Sequence, residues 1–183
     1  MKKLLIAAVM AMCTAGVYAQ QTNMATMQAA EGKSLASPRK AADVVLAGKK
    51  IHIGYGAPSV RGRHVMGEVV PYTEWWRTGA NEATSFETTG DLMVGKLHVP
   101  AGKYTLVTLP SAGAWQLVVC KHTGQWGTDR FEADDLGKTA MMKATLPAVQ
   151  EVMSIGFEKT AGSKTQLHIK WDKTDVFVPV STR

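Results

Sequence analysis

Hydrophobic and polar residues alternate along most of this chain. Residues 49–55 place Ile51, Ile53 and Tyr55 on one face, and residues 165–171 alternate in the same way. A period of two is the signature of a β-strand with one buried face. No comparable run repeats at helical spacing, so the pattern predicts an all-β protein.

Turn-forming residues separate these alternating runs into short strands. We predict strands at residues 49–55, 83–88, 92–99, 104–109, 115–120, 138–146, 152–158, 165–171 and 176–180, with Gly95 breaking the third into a tight hairpin. Single helical turns are predicted at 71–76 and 147–151. About nine or ten short strands favour an antiparallel β-sandwich or a jelly-roll-like barrel with one long elaborated loop region. Clean alternation argues against a parallel sheet buried on both faces.

The first nineteen residues have the order of a secretory signal peptide. Lys2 and Lys3 precede an apolar run at residues 4–12, and Ala19 is a small residue suited to cleavage before Gln20. The apolar run is too short to span a bilayer. We therefore expect an exported protein, periplasmic or extracellular, that is not transmembrane once the signal is removed.

The N-terminal residues admit two interpretations other than a cleaved signal peptide. Cys13 follows the apolar run as a lipid-attachment cysteine would, although Met12 stands where such a site has a small residue. The other alternative is a retained membrane anchor. Cleavage after Ala19 would leave 164 of the 183 residues, and loss of two lysines would lower the formal net charge from +6 to +4.

Cleavage would also leave Cys120 without a partner for an intrachain disulfide, because the chain has only two cysteines. Cys120 ends a strand-like run, which favours a small buried hydrophobic residue. The alternative is a nucleophilic thiol with His122 as its base.

Residues 20–37 are small and polar and form a predicted flexible leader. Residues 38–183 are predicted to be a single β-sandwich domain.

One region of the chain has a residue composition that the strands and turns of a β-sandwich do not account for. The stretch from Tyr55 to Thr84 concentrates guanidinium, indole, amide and carboxylate side chains between two predicted strands, where binding residues are often found. The candidate ligand-binding residues are Arg61, Arg63, Trp76, Arg77, Asn81 and Glu82, with Trp126 on a glycine-bounded loop further along. Guanidinium groups match carboxylate or phosphate, and an exposed tryptophan suits stacking on a sugar ring.

Three strings in the chain resemble a known family. They are Tyr55-Gly-x-Pro-Ser-Val-x-Gly-Arg63, then Val70-Pro-Tyr with Trp76-Arg-Thr-Gly-Ala-Asn-Glu-Ala-Thr84, and Leu97-x-Val-Pro-Ala-Gly-Lys-Tyr-Thr-Leu106. The chain resembles domain-of-unknown-function family 2911 (DUF2911), secreted bacterial proteins frequent in Bacteroidetes, over roughly residues 37–180. Members often have arginine before the proline of the first string, where this chain has Ala57. The resemblance implies export and supplies no reaction.

A purely structural interpretation of the same residues remains open. Arg61 and Arg63 would then pair with Glu68, Glu74 or Glu82 and hold the loop. Asn81 would cap a turn, and Arg77 or Arg63 would pair with Glu82. Trp126 would cover one end of the sandwich. Trp115 and Trp171 fall on inward strand phases and are expected in the core, and at most one of the adjacent Trp75 and Trp76 is expected to be buried.

Other classes of function have little support in the sequence. The five histidines show no metal-binding spacing, and there is no phosphate-binding glycine loop or nucleophile elbow. Basic residues are dispersed, which argues against nucleic acid. We predict no metal and no cofactor, and the oligomeric state is left open.

Three functional hypotheses follow from these observations. The first is a non-catalytic binding module of the cell envelope for a glycan or small anionic ligand. The second is a glycan-acting hydrolase that pairs Glu82 with Glu74 or Asp129 across about 5–10 Å. The third is a structural envelope protein whose motif is internal. Whether the protein is an enzyme stays uncertain, and the residues favour that it is not.

Overall fold

Nine β-strands account for most of residues 36–183, which are the residues that the computed structural model describes. The strands are β1 (Arg39–Leu46), β2 (Lys49–Gly56), β3 (Ala80–Thr88), β4 (Leu92–Val94), β5 (Leu97–Val99), β6 (Gly102–Leu109), β7 (Trp115–Cys120), β8 (Asp135–Ala161) and β9 (Lys164–Thr182). A single 3-10 turn spans Glu132–Asp134. The all-β prediction is confirmed.

Every pairing between these strands is antiparallel, and their order is β1-β2-β3-β6-β7-β8-β9-β4-β5. Strand β8 joins two wings of this sheet. Its first part pairs with β7 up to Met141, and its later part pairs with β9 from Met142 onward. The sheet is not closed, so the sandwich and not the barrel is the form that the chain adopts.

The two wings pack against each other around one hydrophobic core. Side chains of both wings belong to it, among them Ile53 of β2, Leu117 of β7, and Met153 and Ile169 of the second wing. The Tyr55 hydroxyl donates a 3.4 Å hydrogen bond to the Ile155 carbonyl oxygen across the sandwich. Burial of this apolar surface is the main stabilising term of such a fold.

The strands differ from the predicted ones in length. Two predicted pairs of short strands each merge into one long strand, β8 with 27 residues and β9 with 19. The register of β8 shifts between Thr145 and Gln150 and again before Ser154. A long strand that must serve both wings bends at such irregularities, and each irregularity disrupts the alternation that sequence patterns detect.

The predicted helical turns at 71–76 and 147–151 are wrong. Residues 147–151 belong to β8, where Pro147 lies in the unpaired stretch between Thr145 and Gln150. Proline cannot donate to a ladder, so it is tolerated at a bulge. Residues 71–76 are irregular, and Trp76 forms an isolated bridge with Thr108. Strand β1, which the pattern missed, is mostly exposed and shows little alternation.

The predicted elaborated loop region is the connection between β2 and β3, residues 57–79. It buries Val60, Val65 and Val70, and backbone hydrogen bonds tie it to both wings. Val60 donates to the Glu151 carbonyl oxygen at 2.8 Å, and Trp76 exchanges two hydrogen bonds with Thr108. The loop is therefore a packed part of the domain.

Where this connection rejoins the sheet, the backbones of β2 and β3 come very close. A Cβ added at Gly56 would overlap the carbonyl oxygen of Ala80, and one added at Gly79 would lie 3.0 Å from the Gly56 carbonyl oxygen. The pairing of β2 with β3 also shifts register between Gly54 and Gly56. Glycine is required here because any side chain would force the strands apart.

We expect the Gly56→Ala substitution to destabilise the domain by about 1–3 kcal/mol, because the methyl group must displace backbone and not a flexible side chain. Urea unfolding followed by tryptophan fluorescence measures this loss. Gly156→Ala in β8 is the matched control, since nothing lies within 4 Å of the added Cβ. Unfolding free energies that agree for the two variants would contradict the assigned role of Gly56.

Candidate functional site

A cleft of about 380 Å³ opens where the 57–79 connection meets β3. Its walls are built from residues far apart in the sequence: Ser37, Pro58, Arg63, Val69, Trp75, Trp76, Arg77, Gly79, Ala80, Asn81, Gly127, Thr128 and Trp171. Two guanidinium groups, one amide and two hydroxyl groups contribute the polar side chains. No aspartate or glutamate is among the described residues that line the cleft.

Two of the seven described non-glycine residues with a positive φ lie beside this cleft. Thr78 has φ of 57° and Asn81 has φ of 64°, both in the left-handed region. Asparagine tolerates that region, but a β-branched threonine there is a genuine outlier. Strained residues persist only where their surroundings hold them. The fully buried Thr78 is held in this way, because the Thr84 hydroxyl donates to its carbonyl oxygen at 3.0 Å and Thr108 Oγ1 lies 3.2 Å from its own hydroxyl.

Stacked tryptophans form the floor of the cleft. Trp76 lies almost parallel to Trp171 at a ring-centre distance of 6.0 Å and meets Trp115 edge-on at 6.1 Å. All three are buried, as strand phase predicted for Trp115 and Trp171. Trp75 is half-buried and also lines the cleft, in agreement with the expectation that at most one of the adjacent tryptophans is buried. Trp76 is therefore both a core residue and a wall of the site.

Arg63 and Arg77 hydrogen-bond to backbone carbonyl groups and not to carboxylates. Arg63 donates from Nη2 to Ser59 at 2.7 Å and from Nε to Val60 at 3.1 Å. Arg77 donates from Nε to Gly79 at 3.3 Å. Neither forms a salt bridge with a described residue, so the predicted pairing of Arg63 with a glutamate is wrong. Both cations in the cleft lack a countercharge from the described chain.

Gly127 supports the position of Arg77. A Cβ added at Gly127 would lie 2.6 Å from Arg77 Cδ. The aliphatic part of the arginine therefore runs directly over the glycine backbone. A side chain at position 127 would displace the guanidinium group from the cleft wall.

Asn81 lies at the entry to β3, as predicted, and its side chain connects two parts of the chain. The amide Nδ2 donates to the Ser37 carbonyl oxygen at 3.1 Å. The side chain is half-buried and lines the cleft. The segment just before β1 is thereby held as one wall of the cleft.

Three of the predicted site residues lie outside the cleft. Arg61 holds the loop, since its Nη2 donates to the Ala36 carbonyl oxygen at 2.8 Å and its backbone N–H donates to Glu151 Oε1 at 3.0 Å. It does not form an anion clamp with Arg63 in this cleft, nor does it form a salt bridge with a described glutamate.

Glu82 and Trp126 are the other two, and they form a backbone bridge with each other. Neither of their side chains lines the cleft that Asn81 borders. Glu82 forms a 3.2 Å salt bridge with Arg39, both side chains being about half exposed. The predicted partner Arg77 or Arg63 is therefore wrong. Trp126 is 51% exposed.

Nine of the described cleft residues escaped prediction, and four of them have polar or aromatic side chains: Ser37, Trp75, Thr128 and Trp171. Strand phase marked Trp171 as a core residue, which is correct, but did not show that it borders a cleft. Ser37 and Thr128 are small polar residues in irregular segments, for which the sequence carries no distinguishing signal. Only the fold brings them beside Arg63 and Asn81.

Acidic and basic groups elsewhere pair locally. His52, His98, His122 and His168 each contact a different aspartate, at Nδ1/Nε2-to-carboxylate distances between 2.7 and 3.2 Å. Within residues 36–183 no group of three or more His, Cys, Asp or Glu is arranged to hold a metal ion. In the same residues no helix is long and apolar enough to cross a membrane.

Comparison of the chain with protein families identifies the family to which it belongs. Residues 37–180 match the family described as "Protein of unknown function (DUF2911)". The match covers most of the chain, so the protein belongs to DUF2911, and the resemblance seen in the three motifs is confirmed. Neither the curated proteins nor the solved structures that were compared include a match.

Cys120 is an unreactive residue in this structure. It is buried, its Sγ lies 3.4 Å from the Phe131 carbonyl oxygen, and burial raises the pKa of the thiol above its ordinary value. The nucleophile is the thiolate, whose fraction at neutral pH falls as the pKa rises. We expect no reaction of Cys120 with Ellman's reagent at pH 8 in the native protein, and full reaction in 8 M urea. Rapid labelling of Cys120 in the folded protein would contradict this environment.

Proposed function

We propose that this protein is a non-catalytic ligand-binding module of the cell envelope whose cleft takes a small anionic ligand. The observation that carries the proposal is the charge of the cleft. Arg63 and Arg77 line it together with the Asn81 amide, and no carboxylate is among its described lining residues. An anion would supply the missing countercharge.

Both guanidinium groups keep hydrogen-bond donors for such a ligand. The described hydrogen bonds occupy Nε and Nη2 of Arg63 and Nε of Arg77. That leaves Nη1 of Arg63 and both terminal nitrogens of Arg77. Terminal guanidinium nitrogens match the spacing of carboxylate and phosphate oxygens. Charge-assisted hydrogen bonds are stronger in a partly enclosed cleft than in open water.

The aromatic floor suits a ligand that has a ring as well as a charge. Trp75, Trp76 and Trp171 contribute indole surface to the cleft. Sugar rings stack on such surfaces through their apolar faces, and the Trp76–Trp171 stack holds the floor rigid. An acidic sugar or the acidic residue of a glycan therefore fits the combination of groups better than inorganic phosphate does.

Strain beside the cleft supports a binding role over a purely structural one. A loop that only linked β2 to β3 would gain nothing from a left-handed Thr78. Strained backbone clusters at ligand sites, where it orients groups that relaxed geometry would turn away. Here the two strained residues, Thr78 and Asn81, lie on either side of the segment that contains Ala80. We infer that their backbone conformation directs Arg77 and Asn81 into one cleft. Arg63 and Glu82 are also exposed, which a wholly internal motif would not require.

The hydrolase hypothesis finds no comparable support. Glycoside hydrolysis needs two carboxyl groups flanking the bond that breaks. Glu82 forms its salt bridge with Arg39, and none of Glu82, Glu74 and Asp129 lines the cleft. A cleft lined by arginines would hold an acidic substrate but offers no general acid and base among the residues described.

Binding is tested by thermal unfolding with sodium D-glucuronate, sodium phosphate and neutral D-glucose as probes. We expect glucuronate to raise the unfolding temperature and glucose to leave it unchanged. At ten times the dissociation constant, a ligand adds about 1.4 kcal/mol, or about 3–6 °C for a domain of this size. Equal shifts with glucuronate and glucose at matched ionic strength would contradict an anion site.

The arginines are tested by Arg63→Ala and by Arg77→Met, which keeps the aliphatic packing over Gly127. Loss of a charge-assisted hydrogen bond costs about 1.5–3 kcal/mol, so we expect affinity to fall about 10- to 150-fold in each variant. Lys138→Ala is the control, because it removes one positive charge from an exposed side chain of β8 that does not line the cleft. A glucuronate shift that Lys138→Ala reduces as strongly as Arg63→Ala would reflect net charge and overturn the site.

Export is the second part of the proposal, and the N-terminal sequence supports it. We expect protein recovered from the native host to begin at Gln20 and to be in the periplasmic or extracellular fraction. Intact-mass spectrometry distinguishes this form from one that retains Met1 and from one with a lipid on Cys13. Either of those masses in place of the 164-residue chain would contradict cleavage after Ala19.

A further inference from the structure

A second, much smaller cavity lies directly behind the cleft. Its volume is about 10 Å³, close to that of a single water-sized group. Trp75, Arg77 and Gly127 line both spaces. Since Gly127 has no side chain, the partition between cleft and chamber consists mainly of the Trp75 and Arg77 side chains. We call this space the inner chamber.

Two polar atoms buried at the inner chamber have no partner among the described residues. They are Oε1 of Gln125 and Nε of Arg130, and both residues line the chamber. Buried polar atoms in native proteins nearly always have hydrogen-bond partners, because leaving them unpaired is costly. An acceptor and a donor left unpaired around one small space point to a single group that satisfies both.

The remaining atoms of these side chains are engaged, which fixes their orientation. Gln125 donates from Nε2 to Thr105 Oγ1 at 3.3 Å. Arg130 forms a bidentate pair with Asp135, at 2.8 Å from Nη1 and 2.5 Å from Nη2, and only 11% of its side chain is exposed. That pairing raises the pKa of the Arg130 guanidinium, so the group stays charged. Asp135 thereby neutralises the arginine while leaving its Nε donor free.

The chemistry of the two atoms selects the group that they would bind. A carboxylate oxygen accepts from Arg130 Nε but is repelled by Gln125 Oε1. An ammonium group donates to Gln125 Oε1 but has no lone pair to accept a hydrogen bond from Arg130 Nε. A hydroxyl group donates to one atom and accepts from the other, and it has the size of the chamber.

We propose that the cleft and the inner chamber are one site for a hydroxy acid, with a ligand hydroxyl group bound between Gln125 and Arg130. This inference rests on the proposed function and narrows its ligand class to polyhydroxylated acids, as sugar acids are. The carboxylate binds at Arg63, Arg77 and Asn81. The Arg77 side chain, held by one 3.3 Å hydrogen bond from Nε, shifts to let the hydroxyl group pass.

The test compares two acids that share one skeleton. D-glucuronate carries hydroxyl groups on its ring, and tetrahydropyran-2-carboxylate is the same ring and carboxylate without them. Isothermal titration calorimetry of the wild-type protein gives both affinities. We expect glucuronate to bind at least about tenfold more tightly, as loss of a buried hydrogen-bonding group implies.

Two variants locate the source of that preference. Gln125→Met removes the amide at similar length, and Arg130→Lys keeps a cation beside Asp135 but removes Nε. We expect each to weaken glucuronate binding about tenfold and to leave tetrahydropyran-2-carboxylate within about twofold. The two substitutions change different side chains, so a loss of folding in one does not imply a loss of folding in the other. The variant that keeps the wild-type unfolding temperature is the one that decides the result.

The outcomes separate this inference from the proposed function. If both acids bind the wild type equally, or if the variants keep the preference for glucuronate, the chamber holds a structural water and the inference is overturned while the anion site stands. If neither acid binds the wild type, the proposed function and the inference both fail. Preference for glucuronate that disappears in the folded variant establishes the inner chamber as the hydroxyl subsite.

Discussion

The arrangement of the site depends on the close approach of two backbones at Gly56 and Ala80. Because no Cβ fits between them, β2 and β3 meet there in direct contact and the whole 57–79 connection must leave and return at one point. The returning chain relieves that geometry by entering the left-handed region at Thr78 and again at Asn81. Those two residues precede and follow Ala80, so the chain does not alternate there as a regular strand does. The side chains of Arg77 and Asn81 both line the cleft as a result.

A second constraint is electrostatic. The domain neutralises most of its buried or half-buried charges locally, as the Arg130–Asp135 and His168–Asp175 pairs show. The half-buried Arg77 is an exception, because a backbone carbonyl group orients it and no described carboxylate forms a salt bridge with it. Backbone carbonyl groups orient the exposed Arg63 in the same way. These two cations therefore differ from Arg130, whose charge is paired within the fold.

The parts that sequence reasoning predicted correctly are those that local chemistry controls. Alternation identified most strands, and strand phase placed Trp115 and Trp171 in the core. Density of unusual side chains identified the 57–79 connection with its cleft residues Arg63, Trp76 and Arg77, and also Asn81 at the start of β3. The failures have physical causes as well. Pro147 suggested a helical turn because a proline at a bulge has the same local signature. Glu82 follows Asn81 directly in the sequence, but its carboxylate pairs with Arg39 and does not line the cleft.

By itself, the sequence determined the all-β antiparallel class, the family, and the loop that carries most of the candidate site residues, because strand period, motif strings and composition are properties of neighbouring residues. The tertiary structure alone decided which of those side chains meet. It placed Arg63, Arg77 and Asn81 in one cleft with Ser37, Thr128 and Trp171, and moved Arg61, Glu82 and Trp126 outside it. It also placed Gln125 and Arg130 behind that wall. The reason is that packing brings together residues up to 134 positions apart, from Ser37 to Trp171, and no local pattern records which of them will touch.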